Sequence, residues 1–217
     1  MTGAAPTTRR RFAIWTASAL ATLAGCGRSD KAARPVPRGA TVLALGDSLT
    51  YGIGAAPDNS YPTVLAGLTG WQVVNAGVPG DTSAQSLARL PALLAEHRPQ
   101  LVIVSIGGND FLRKLPESDT RAHVHSICQQ VLAAGAQVLL VALPRATLAA
   151  ALGQPSDHAL YAEVAADLKI PLQRGGWTEV LAQPSLRADQ VHANASGYAQ
   201  FARSLQATAL AAGLLPS

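Results

Sequence analysis

From Thr41 onward, short unbroken apolar runs take turns with segments of helical spacing, and few folds accommodate that order. The runs are Thr41–Leu45, Trp71–Asn75, Leu101–Ile106 and Gln137–Leu143, with a weaker fifth at Ile170–Leu172. Continuous rather than alternating apolar stretches of this length suit strands covered on both faces. Between them, Leu87, Leu90, Leu93 and Leu94 follow a three-to-four spacing, with Asp81-Thr82-Ser83 placed to cap its start. Arg121–Ala134, Asp157–Leu168 and Ser196–Leu210 behave alike. Strand–helix alternation predicts βαβ units and a three-layer α/β/α sandwich, with a mostly parallel sheet of about five strands, over residues 40–217. In such folds ligands bind at the carboxyl ends of the strands. Those ends are Gly46-Asp47-Ser48, Asn75–Thr82, Gly107–Asp110 and the chain from Pro144.

The segment before residue 40 has a different character. Arg9-Arg10-Arg11-Phe12 precedes an apolar run, Ala13–Ala24, that is too short to span a bilayer, so residues 1–25 read as a signal peptide of twin-arginine appearance. Leu23-Ala24-Gly25-Cys26 looks like a bacterial lipobox, which makes Cys26 the expected lipidation site. Residues 26–39, with Pro35 and Pro37, read as a tether. The expectation is an exported bacterial protein, lipid-anchored to a membrane and facing the periplasm or cell exterior.

The formal charge of +4 carries no message about nucleic acid. Three of the 17 basic residues are the leader arginines, and the 14 that remain face 13 acidic ones, with no basic stripe for phosphates. Aromatic residues make up only 5% of the chain, so the core is expected to consist mainly of Ala, Leu and Val. Besides Cys26 the only cysteine is Cys128, on a helical apolar stripe with Val124, Ile127 and Val131, where it reads as a buried inert side chain.

At the strand ends, Ser48 follows an apolar strand closely enough for its hydroxyl to meet a substrate. Such a hydroxyl needs a base, and the base an orienting acid. Of five histidines, His97, His123, His125 and His158 read as solvated helix residues. His192 differs, because Asp189-Gln190-Val191-His192 puts a carboxylate three residues before it, ahead of the final helix. Gly80 and Gly107-Gly108-Asn109 lie in turns after strands, where amides and an Asn side chain can serve a developing oxyanion.

Together these blocks resemble the SGNH, or GDSL, hydrolase family. Gly46-Asp47-Ser48-Leu49, Asn75–Thr82, Gly107–Asp110 and Asp189-x-x-His192 stand in the family's order, and Val73–Asp110 is most similar to its bacterial thioesterase/lysophospholipase/arylesterase branch. The resemblance implies an SGNH, flavodoxin-like fold and a serine esterase working through an acyl-enzyme. Ser48 would be nucleophile, His192 base and Asp189 its orienter, with the Ser48 and Gly80 amides and the Asn109 side chain as oxyanion hole. Ala193 stands where the family often has Pro, which predicts a looser turn at that point.

Other chemistries lack their motifs. There is no G-x-S-x-G elbow, P-loop, H-E-x-x-H or Cys/His cluster of zinc spacing, so no metal and no organic cofactor is expected. Phe111–Leu115 and Pro144–Leu152 are apolar and follow strand ends. Phe111, Leu112 and Leu148 are therefore expected to contact an acyl chain. Expected partners are a small ester or lipid substrate and a membrane through Cys26, with the domain itself a monomer. The competing readings are a carbohydrate O-deacetylase on the same fold and a lipid-anchored binding protein without turnover.

Overall fold

The structure is a computed structural model that describes residues 1–4, 33–145 and 156–216. Most of the leader, Cys26 and Leu148 lie outside the described residues. Strands β1 (Thr41–Gly46), β2 (Gln72–Gly77), β3 (Leu101–Ser105), β4 (Gln137–Val141) and β5 (Leu172–Gln173) form one sheet. Its order is β2-β1-β3-β4-β5, and every pairing is parallel. The apolar runs of the sequence thus become strands, shifted by one or two residues at their ends. β3 is buried along its whole length, and β1 and β4 after their first residue, as the unbroken Val/Leu/Ile pattern requires. β2 is an edge strand and half exposed.

Helices α1 (Ser48–Tyr51), α2 (Tyr61–Thr69), α3 (Ser83–His97), α4 (Gly108–Leu112), α5 (Glu117–Ala133), α6 (Ala159–Leu168), α7 (Gly176–Ala182) and α8 (Ala195–Ala211) accompany the sheet. α8 packs against both α2 and α7, and α5 against both α3 and α6, which gives the two helical layers of the sandwich. Two of the long helices start where a side chain satisfies orphan amides of the first turn. Thr82 and Gln85 close a capping box on α3, and the Asn194 side chain accepts from the Gly197 amide to cap α8.

The few aromatic residues are concentrated rather than spread. Trp177 stacks on Phe201 at 3.7 Å between ring centroids, while Tyr61 and Tyr198 meet this pair edge-on. All four are fully buried. This cluster welds α2, α7 and α8 together, and its polar tips reach the sheet end: Trp177 Nε1 donates to Ser105 Oγ and Tyr198 Oη to the Ile53 carbonyl. The core is otherwise the expected Ala, Leu and Val, with isoleucines. Cys128 is buried as read, and burial pushes its thiol up to about 12.

The sheet order reverses direction at the β1/β3 pair, so the crevice of this fold opens above those two strands. Gly77 is essential to that crevice. A Cβ there would collide with the backbone of Thr50 and Tyr51, so only glycine lets α1 lie against the end of β2.

Candidate active site

Three strand ends deliver the side chains singled out in the sequence to one place. β1 ends at Gly46, and the Asp47 carboxylate accepts from the Leu49 amide to start α1 at once, with Ser48 as its first residue. A first helical residue has no intrahelical acceptor for its N–H, so the Ser48 amide points out of the helix unspent. After β2, the Val78 amide donates to the Gly46 carbonyl, holding the Gly80 turn beside β1. Gly80 sits at φ +83°, a left-handed conformation that glycine adopts without strain. After β3, Gly107 at φ +119° turns the chain into α4, which carries Asn109. Sequence reasoning takes this segment for a plain turn. It is a short helix that opens at Gly108, directly after the left-handed Gly107, where a Cβ would collide with the Tyr161 hydroxyl.

The fourth component comes from the opposite end of the chain. His192 Nε2 lies 2.9 Å from Ser48 Oγ, and Asp189 Oδ2 lies 2.7 Å from His192 Nδ1. Asp189 also closes its own turn, its Oδ1 accepting from the Val191 and His192 amides, each at 2.8 Å. Burial works to raise this carboxyl, but the hydrogen bonds from the His192 ring and the two amides outweigh it and hold Asp189 below its ordinary value. The ring therefore keeps Nδ1–H toward Asp189 and leaves Nε2 to accept from the Ser48 hydroxyl.

Ala193 does not leave this turn loose. Arg187 and Ala193 pair as an antiparallel bridge, and the Ala188 amide donates to the His192 carbonyl at 3.0 Å. The Asn194 amide and side chain add bonds to the carbonyls of Leu186 and Ser185. Backbone pairing supplies the rigidity that a proline ring would have given.

Asn109 Nδ2 donates to the Asp81 carbonyl at 2.9 Å, and Asp47 Oδ2 stands 3.5 Å away. One amide proton is thus committed to positioning, and the other is held only by the long 3.5 Å contact with Asp47 Oδ2, which a better acceptor can replace. Among the described residues the Gly80 amide has no hydrogen-bond acceptor, while its carbonyl accepts from Arg113 at 2.8 Å. A substrate oxygen placed here would find the unspent Ser48 and Gly80 amides and the loosely held second N–H of Asn109 beside the Ser48 hydroxyl, an arrangement suited to acyl transfer.

The residues expected to meet an acyl chain separate. Phe111 turns inward and stacks on His158 at 4.4 Å and 6°, whereas Leu112 is exposed. His158 itself corrects the sequence reading. It opens α6 as expected, but as a buried N-cap under the Phe111 ring, not a solvated residue, and desolvation lowers its imidazole against the opposing pull of Glu117. A cavity of about 460 Å³ lined by Arg34, Leu94, Arg98, Gln100 and Gln137 lies at the amino-terminal edge of the sheet and shares no residue with the site. Among the described residues there is no cluster of three or more His, Cys, Asp or Glu able to hold a metal ion.

Two contributors were not visible in sequence. Arg89 bonds the Asp81 carboxylate at 2.7 Å and the Gly46 carbonyl at 3.0 Å, pinning the Gly80 turn to the strand that carries Ser48. Asp47, between Gly46 and Ser48, is fully buried, and desolvation raises its carboxyl from 3.8 to about 6. Because the folded state favours the protonated form, ionised Asp47 destabilises the fold. That penalty grows as pH rises from about 4 to 6, reaches roughly 3 kcal/mol and then stays constant. Asp47→Asn should therefore become more stable relative to the parent across this window. Urea titrations at pH 4 and 7.5 check it, and an identical stability difference at both pH values would rule it out.

Residues 44–200 match the GDSL-like Lipase/Acylhydrolase family. The chain is 38% identical over 162 residues to "Thioesterase 1/protease 1/lysophospholipase L1" of Escherichia coli strain K12, covering 71% of this chain and 76% of that protein. It is 40% identical over 108 residues to "Esterase TesA" of Pseudomonas aeruginosa, covering 48% and 54%. Among solved structures, "Crystal Structure of TesA" superposes with a TM-score of 0.71 at 30% identity, covering 79% of this chain and 99% of that one.

Proposed function

Because the chain belongs to the GDSL-like lipase/acylhydrolase family and is a carboxylic ester hydrolase of that type, we propose that Ser48, His192 and Asp189 carry its chemistry. The observation that supports this most is the continuous hydrogen-bonded line from Asp189 through His192 to Ser48, at 2.7 and 2.9 Å. In this reading Ser48 Oγ attacks the ester carbonyl while His192 Nε2 takes its proton. The carbonyl oxygen, now negative, is held by the Ser48 and Gly80 amides and Asn109 Nδ2. His192 then passes the proton to the leaving alcohol or thiol, and a water activated by the same nitrogen releases the acid from Ser48.

Substrates are esters and thioesters of short to medium acyl chains, aryl esters and lysophospholipids, with the acyl group leaving the crevice past Leu112. The exposed Leu112 side chain forms part of the entrance. The experiment is a rate series on p-nitrophenyl esters from acetate to dodecanoate, with palmitoyl-CoA and acetylated xylan as further arms. A rise in kcat/KM between acetate and octanoate is expected. Strict acetate preference, or turnover confined to the acetylated sugar, would replace this reading with the deacetylase one.

The leader and tether support a second proposal, that Cys26 carries lipid and holds the enzyme on a membrane outside the cytoplasm. A single acyl chain anchors only marginally and several anchor stably, so Cys26→Ser should release the protein without altering kcat. Mass spectrometry of the native N-terminus decides the matter, and an unmodified Cys26 would refute it.

A further inference from the structure

Asn109 is not held by its own hydrogen bond alone. Its neighbour Asp110 is fully buried, and the carboxylate gathers donors from two other helices. Oδ2 accepts from the Ser83 amide at 2.8 Å, and Oδ1 accepts from the Ser83 hydroxyl at 2.5 Å and the Thr120 hydroxyl at 3.3 Å. Ser83 begins α3, two residues after the Asp81 carbonyl that receives Asn109 Nδ2. Consecutive side chains of α4 therefore zip onto the 81–83 segment, which follows Gly80 directly.

We propose that Asp110 is a positioning residue that locks Asn109 and the Gly80 turn into one rigid oxyanion-binding unit. This rests on the reading of Asn109 as an oxyanion donor. Asp110 touches no reacting atom. It fixes α4 against the start of α3, so that the donor proton of Asn109 is aimed before substrate arrives. Preorganisation of this kind acts on the transition state more than on ground-state binding. The same atoms could be mistaken for a second serine triad, because His123 Nδ1 lies 3.1 Å from Ser83 Oγ. Ser83 is fully buried and its hydroxyl proton points at Asp110, so no substrate can reach it and it is no nucleophile.

A carboxylate suits this junction better than an amide. Three donors converge on it, and an asparagine would turn an NH₂ group toward at least one of them. Asp110→Asn should lower kcat roughly 10- to 50-fold on p-nitrophenyl butyrate with KM changed by less than about twofold. A buried residue of purely structural importance predicts a lower melting temperature and near-normal kcat in the folded fraction.

The deciding measurement is a double-mutant cycle with Asn109→Ala, since residues acting through one another are non-additive. In the Asn109→Ala background, Asp110→Asn should cost less than about threefold further in kcat. Ser83→Ala, which removes only the hydroxyl and leaves the Ser83 amide on Oδ2, should cost about 3- to 10-fold and show the same non-additivity. It carries the test if Asp110→Asn does not fold. Losses that multiply in full with Asn109→Ala, or a near-normal kcat in both variants, overturn the proposal. A near-normal kcat in Asn109→Ala alone overturns the oxyanion reading beneath it, so the two failures are told apart.

Discussion

Ser48→Ala is expected to lower kcat by roughly four to six orders of magnitude and to abolish labelling by a fluorophosphonate probe, while the fold remains intact. Among the described residues the Ser48 hydroxyl is the only hydrogen-bond partner of His192 Nε2, at 2.9 Å, so none of them is placed to substitute for it. His192→Ala should fall by a similar factor, and the double variant by little more, because nucleophile and base act as one unit. The residual rate would come from the donors around Gly80 and Asn109 acting on a water-borne attack. Labelling that persists on Ser48→Ala would place the nucleophile elsewhere.

Asn109→Ala is expected to lose about 10²–10³ in kcat, or roughly 2.7–4 kcal/mol of transition-state stabilisation, with KM little altered. The side chain is half-buried and its amide is shared between the Asp81 carbonyl at 2.9 Å and the more distant Asp47 carboxylate at 3.5 Å. Truncation therefore removes a donor without opening a large cavity in the core. Asn109→Asp should be worse, since it sets a carboxylate beside the buried Asp47 and Asp110 as well as against the oxyanion. Steady-state kinetics and melting temperatures together check this. A stable Asn109→Ala with near-normal kcat would falsify the donor role.

The strands were legible because each is a run of apolar residues that the sheet covers on both faces, and that pattern has few other uses. α3 and α8 are legible for a similar reason, from their periodicity, which in α3 is announced by the Asp81-Thr82-Ser83 cap, while the Asn194 cap of α8 shows only in the structure. α2 and α7 escaped notice. One is interrupted by Gly67 and has Pro62 as its second residue, the other opens on a glycine pair, and both are held by the aromatic cluster rather than by their own pattern. At the site, Asp189 and His192 were readable from spacing, since one turn must carry both. Asp47, Asp110 and Arg89 were not, because what they do depends on burial and on partners brought by distant strands. His158 was misjudged on the same ground: nothing near it in sequence reveals that the Phe111 ring lies over it.

His192 reaches Ser48 across 144 residues of chain, and the turn that carries it is fastened by the start of α8. The remaining parts, from Ser48 to Asn109, come from the first three strands. During synthesis the sheet's nucleophile and oxyanion donors can therefore assemble while the hydroxyl is still chemically inert. On the proposed roles, the hydroxyl gains its base only once α8 seats Tyr198 and Phe201 against Trp177 and Tyr61. A partly folded chain would carry no activated serine with which to attack lipids or cellular thioesters. Catalysis in this protein is in effect a reporter of completed folding, and any destabilisation of α8 should silence the enzyme before it unfolds the sheet.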